Sequence, residues 1–172
     1  MKNHFELLGL APAFALDPAQ LDRAYRDIQS KIHPDRFAHA GEAERRASMQ
    51  WTTQVNEAYR TLRSPVQRAK YLLELNGVDV AFETNTAMPA GFLGQQMELR
   101  EALQEALAKK AVAALDEMRN DLAREKRSLE KKIEQSIDAE RDFRAASELV
   151  RKLMFLEKFG EDIGSAYEAL EG

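Results

Sequence analysis

The chain has 172 residues, room for about one domain or two small ones, and is 44% hydrophobic and 31% charged, a composition with too much apolar content for a disordered chain. No apolar run reaches the roughly 18 residues of a membrane span, and the absence of cysteine excludes disulfides, thiolate nucleophiles and clusters held on the chain's own thiolates, while suiting a reducing compartment such as the cytoplasm. The net charge of -4 is uneven: residues 1–76 hold 11 basic and 9 acidic side chains and residues 77–172 hold 14 and 20, so neither part has the basic field that nucleic-acid binding requires.

Helical periodicity runs through the chain on either side of residues 77–90, and no stretch has a credible strand pattern. Lys2 and Ala13-Phe14-Ala15 resemble the ends of a secretion signal, but Glu6 and Pro12 interrupt what would be its apolar centre. The segment reads instead as a short buried helix over residues 4–9, with Phe5 and Leu8 on one face. Asp17-Pro18 is a helix start, with Asp as N-cap and Pro in the first turn. Leu21, Ala24, Tyr25, Ile28 and Ile32 then share one face, opposite Arg23, Arg26, Ser30 and His33. Pro34 ends this helix, because proline drives its predecessor out of α geometry.

A second long helix is expected from residue 42 to 63, with Trp51, Val55, Ala58, Tyr59 and Leu62 on its core stripe. Ser64-Pro65 starts a short helix carrying Ala69, Leu72 and Leu75, closed by the Asn76-Gly77 cap. Residues 77–90 show no sustained period and read as a linker. Three amphipathic helices follow, at about residues 91–108, 110–135 and 138–158, the last stopped by Gly160 and followed by a short tail helix. The expectation is an all-α protein: a helical hairpin over residues 1–76, the linker 77–90, and a three-helix antiparallel bundle over residues 91–172.

The motif that stands out is His33-Pro34-Asp35, in the loop between two antiparallel helices. No nucleophile elbow, phosphate-cradling glycine loop or metal-ligand spacing accompanies it. Nothing in the sequence fixes His33, Asp35 and His39 as a metal site, so neither metal nor cofactor is expected, and no catalytic residue is assigned. Set beside Tyr25 and the run Asn56-Glu57-Ala58-Tyr59-Arg60-Thr61-Leu62, the tripeptide makes residues 1–76 resemble the J-domain of the DnaJ co-chaperones.

The likeness goes further. Phe5-Glu6-Leu7-Leu8-Gly9-Leu10, Ile32 to Phe37, Arg68-Ala69-Lys70-Tyr71-Leu72-Leu73, Met97-Glu98-Leu99-Arg100-Glu101 and Val150 to Leu156 are similar to the HscB family, the J-proteins of bacterial iron–sulfur cluster assembly. The resemblance implies a non-enzymatic, cytoplasmic co-chaperone with two protein partners and no membrane or nucleic-acid partner. One partner is a DnaK-type ATPase chaperone, HscA, met by His33, Pro34, Asp35, Arg23, Arg26, Lys31 and Arg36. The other is the iron–sulfur scaffold protein IscU, met by Leu93, Met97, Glu98, Arg100, Glu101 and Phe155. A J-protein for a different client, or a plain helical interaction protein, would share the same architecture.

A helical wheel bears on the second set independently. With Phe92 at the centre of the core stripe, Leu93 and Met97 fall about 100° and 140° away, and Phe155 lies about 120° from Phe143 on its own helix. All three are apolar and off the stripe, so they are expected to form a partly exposed patch across the first and third bundle helices, rimmed by Glu98, Arg100 and Glu101. Gly94 stands where the family usually places a larger apolar residue, which shrinks the patch.

Overall fold

The computed structural model describes residues 1–80 and 90–172. Among these residues there is no strand, and no helix is long and apolar enough to cross a membrane. Contacts divide the chain into two compact units, Met1–Leu72 and Leu73–Gly172.

The first unit holds α1 (His4–Leu7), α2 (Pro18–Ile32), a 3-10 turn (Pro34–Phe37), α3 (Glu42–Arg63) and the greater part of α4 (Pro65–Leu75). Its helix starts are made by side chains. Asp17 accepts the Ala19 N–H at 3.0 Å with Pro18 in the first turn, and the Ser64 hydroxyl accepts the Gln67 N–H at 3.3 Å. Asn3 forms a reciprocal capping box with Glu6, a pairing of only four residues that the sequence pattern did not reveal. After α4, Gly77 takes φ +80° while the Val78 N–H reaches back to the Leu73 carbonyl at 2.8 Å, the closure expected from Asn76-Gly77.

α2 and α3 are antiparallel, as three contacts establish. Asp22 meets Tyr59, Tyr25 meets Asn56, and Ile32 meets Ser48, so one helix descends as the other climbs. The core is Phe5, Leu8, Leu10, Phe14, Leu21, Val55, Ala58, Leu62, Val66 and Ala69. Arg68 is buried among them: its guanidinium donates to the Phe14 and Leu62 carbonyls at 2.8 and 2.7 Å and lies over the Phe14 ring. That tethers the segment entering α2 to the end of α3.

Two stripe residues differ from expectation. Trp51 is 44% exposed, because the helix covering its edge of α3 is α1, a single short turn. Leu75 is also exposed, and Leu73 takes the buried place. Leu75 lies about 120° around the helix from Ala69, off the stripe of Val66, Ala69 and Leu73.

The second unit contains α5 (Ala90–Ala108), α6 (Val112–Glu134), a π turn (Gln135–Ala139) and α7 (Phe143–Glu171). α6 and α7 run antiparallel, with Asp116 bonded to the Tyr167 hydroxyl, Lys126 paired with Glu157 at 2.9 Å, and Leu122 against Gly160 between them. The core joins Leu103 and Ala106 of α5, Leu115 of α6, and Phe159, Ile163 and Ala166 of α7.

Gly160 does not stop α7, which continues unbroken to Glu171 and absorbs the expected tail helix. The glycine is there for space: a Cβ would sit 3.2 Å from Leu122 Cδ2, so α6 and α7 approach closely at this point. The start of α7 also moves. A π turn and Arg141, with φ +56°, occupy residues expected to be helical, and Asp142 caps the helix by accepting the Ala145 N–H at 3.1 Å. Of the expected linker, residues 81–89 lie outside the described residues.

Candidate functional site

The tripeptide is shaped by its own side chains. His33 has ψ 134°, the extended value imposed by the following proline, and so ends α2. Its Nδ1 accepts the Asp35 N–H at 3.2 Å, capping the 3-10 turn that Pro34 begins. Asp35 Oδ2 lies 3.5 Å from the same Nδ1, a contact that becomes an ion pair only when the ring is doubly protonated. The His33 side chain is 49% exposed and that of Asp35 93%, so both are open to a partner.

What holds the turn in place lies in the helices behind it. The Ser48 hydroxyl donates to the Ile32 carbonyl at 2.6 Å, satisfying one of the carbonyls that every helix C-terminus leaves without a partner. Further up, the Tyr25 and Tyr59 rings stack at 4.1 Å, Tyr25 donates to Asn56 at 2.6 Å, and Tyr59 donates to Asp22 at 2.6 Å. The bond to Asp22, then burial, raises the Tyr59 hydroxyl pKa above its ordinary value. Ser48 was not singled out from the sequence, although a serine in line with Val55 and Leu62 on an apolar stripe is the available signal.

Arg23, Arg26 and Lys31 are exposed on the outer face of α2, and Arg36 is exposed in the turn. Arg26 Nε reaches the Asp22 carbonyl at 3.4 Å. Among the described residues none of the four cations is in an ion pair. Beside them no group of three or more His, Asp or Glu is placed to hold a metal ion among the described residues.

On the bundle, Leu93 is 51% and Met97 63% exposed, one turn apart on α5, with Glu98, Arg100 and Glu101 exposed around them. Phe155 is half-buried, within the partial exposure expected of it, but it also packs against the bundle core, stacks on Phe159 at 6.0 Å and meets Phe92 edge to face at 5.5 Å. The long α7 accounts for this, since Phe155 is four residues before Phe159 and therefore shares its face. Two cations frame the aromatic pair: Arg100 lies 5.7 Å from the Phe155 ring centre and Lys152 5.7 Å from that of Phe92. Lys152 was not anticipated, because the contact crosses between helices and leaves no local pattern.

Known proteins share both halves of this arrangement. Residues 3–71 match the DnaJ domain family, and residues 88–164 match the family described as the HSCB C-terminal oligomerisation domain. The co-chaperone protein HscB homolog of Burkholderia vietnamiensis is 51% identical over 169 residues, covering 98% of this chain and 96% of that protein. The chain belongs to the HscB co-chaperone family.

Two solved HscB structures agree with the fold. Chaperone HscB from Vibrio cholerae superposes with a TM-score of 0.86 at 34% identity, covering 98% of this chain and 99% of that one. Human co-chaperone protein HscB gives a TM-score of 0.89 at 29% identity, covering 96% of this chain and 82% of that one. Membership in the HscB family gives the protein a J-domain and a co-chaperone role in iron–sulfur cluster assembly.

Proposed function

We propose that this protein binds the scaffold protein IscU on its helical bundle, brings it to the DnaK-type chaperone HscA in the cytoplasm, and stimulates that chaperone's ATPase through His33-Pro34-Asp35. In this reading the protein is not itself an enzyme. Hydrolysis takes place on the chaperone, the cluster travels on the scaffold, and the J-domain supplies an oriented surface.

The observation that carries the reading is the placement of His33. Its imidazole is exposed, caps its own turn through Nδ1, and makes no further hydrogen bond through Nε2 among the described residues. A side chain so placed contributes little to the core, which is what a recognition loop on a rigid scaffold requires. The four exposed cations around it supply the long-range attraction. Charges of this kind speed encounter with an acidic surface more than they tighten the final complex. The client end rests on exposed Leu93 and Met97, an apolar pair on a charged helix face.

The test is the variant His33→Gln, assayed for stimulation of HscA ATPase with and without IscU. The expected result is loss of stimulation with unchanged folding and unchanged scaffold binding. Normal stimulation by the variant would remove the tripeptide from the mechanism.

A further inference from the structure

A shallow apolar groove of about 270 Å³ opens beside the tripeptide, lined by Ile32, Phe37, Glu44, Ala47, Ser48 and Trp51. We infer that this groove is a second anchor for the DnaK-type chaperone, taking an apolar side chain of that partner against the Trp51 indole. The inference rests on the reading that His33-Pro34-Asp35 docks the chaperone.

The argument for the occupant is continuity. Ile32 immediately precedes His33, and Phe37 immediately follows Arg36, so the wall of the groove is the same short segment that carries the tripeptide. A partner seated on His33 to Arg36 therefore lies against the groove. The argument for the chemistry is the lining. Ile32, Phe37, Ala47 and the Trp51 ring are apolar, and Ser48, the one hydroxyl there, already donates to the Ile32 carbonyl at 2.6 Å. Glu44 is exposed at the edge. A strongly polar ligand would give up its hydration for few partners on this lining, whereas an apolar side chain gains by entering.

Trp51 is the large side chain that the short α1 leaves uncovered. It is the only tryptophan of the chain, and it stays 44% exposed in the middle of a 22-residue helix. Tryptophan combines a large apolar face with few rotatable bonds, which is why it is over-represented among the residues that dominate protein interfaces. Its neighbours place it to act as one, adding to a tripeptide whose own side chains are polar.

The single tryptophan also makes the test direct. The full chain labelled with 5-fluorotryptophan gives one fluorine resonance, from position 51. Adding HscA with ATP is expected to shift or broaden that resonance, and adding IscU alone to leave it unchanged. In the ATPase assay Trp51→Ala is expected to raise the concentration for half-maximal stimulation by about tenfold while leaving maximal stimulation intact, and Trp51→Phe to stay within about threefold of the original chain. Circular dichroism checks the fold of each variant, and the fluorine measurement needs no variant. An unmoved resonance at saturating chaperone, or an unchanged half-maximal concentration for Trp51→Ala while His33→Gln is inactive, would overturn the anchor alone. Full activity of His33→Gln would overturn the anchor together with the reading beneath it.

Discussion

The glycines of the bundle allow a quantitative test of its packing. Gly94, Gly160 and Gly164 lie within α5 and α7, and in a helix interior glycine is about 1 kcal/mol less favourable than alanine. At Gly94 and Gly164 an added Cβ would meet nothing within 4 Å, so alanine there should return most of that amount. At Gly160 the same methyl would stand 3.2 Å from Leu122 Cδ2, well inside a comfortable carbon–carbon separation. Leu122 is half-buried and can give a few tenths of an ångström, at a cost near the lower end of the roughly 1–3 kcal/mol of overpacking. Gain and cost then nearly cancel.

The expected order is therefore Gly94→Ala and Gly164→Ala more stable by about 0.5–1 kcal/mol each, and Gly160→Ala within about 0.5 kcal/mol of the parent. Gly160→Val, with a second branch directed at the same neighbour and poorer helix propensity, should lose about 2 kcal/mol. Urea unfolding followed by far-ultraviolet circular dichroism reads these differences, and Trp51 fluorescence follows the first unit in the same samples. If Gly160→Ala stabilised the protein as much as Gly164→Ala, the close approach of α6 to α7 would be wrong. If none of the three alanines stabilised it, the reasoning from open space and helix propensity would fail.

Reversing Arg26→Glu should reduce chaperone stimulation at low salt by about tenfold and progressively less as salt rises, because exposed charges act over a screening length of about 10 Å at 0.1 M; a defect independent of ionic strength would refute steering. The double variant Leu93→Ala/Met97→Ala should weaken IscU binding by calorimetry more than about tenfold with little loss of stability, since both side chains are exposed, whereas Phe155→Ala should cost about 2 kcal/mol of stability because that ring packs on the core. Tyr59→Phe should cost about 1 kcal/mol near neutral pH through loss of the bond to Asp22. The raised Tyr59 pKa means that its contribution is present below the unfolded value of about 10 and is lost as pH climbs through the folded value, so the variant should show a shallower alkaline loss of stability in urea titrations between about pH 8 and 11.

Much of the fold was legible because it is written locally. Asp17-Pro18, Ser64-Pro65 and Asn76-Gly77 are punctuation whose meaning depends on a few adjacent residues, and each does in the structure what its chemistry dictates. The differences arise where one helix must learn its surroundings from another. Trp51 has the spacing of a core residue, yet its burial depends on the reach of α1, which its own helix does not encode. Gly160 carries a stop signal in isolation, and only the presence of Leu122 across the interface turns it into a point of contact. Phe155 belongs to a wheel that looked complete at residue 158; once α7 runs on to Glu171 the core stripe includes Phe159 and Ile163, and Phe155 joins it. In the site, the residues proposed to meet partners are visible as motifs, whereas those packed behind them, such as Ser48, Phe92 and Lys152, are visible only in three dimensions.

The two working surfaces make opposite demands on the same kind of secondary structure. At the tripeptide the useful groups are polar and must point outward in a fixed direction, so the fold fixes them by hydrogen bonds: His33 on its own turn, Ser48 on the last carbonyl of α2, and the stacked tyrosines with Asp22 and Asn56 behind. At the proposed client face the useful groups are apolar and must stay exposed without collapsing onto the bundle. There Phe92 and Phe155 fill the space beneath, with Arg100 and Lys152 over their rings, and Leu93 and Met97 are left in water. An exposed apolar pair is a standing liability for aggregation, and the charged side chains of Glu98, Arg100 and Glu101 around it keep the surface soluble until a partner covers it. The outward-facing polar groups of one surface and the uncovered apolar side chains of the other add little to folding itself. They persist in a chain whose function is to be completed by two other proteins.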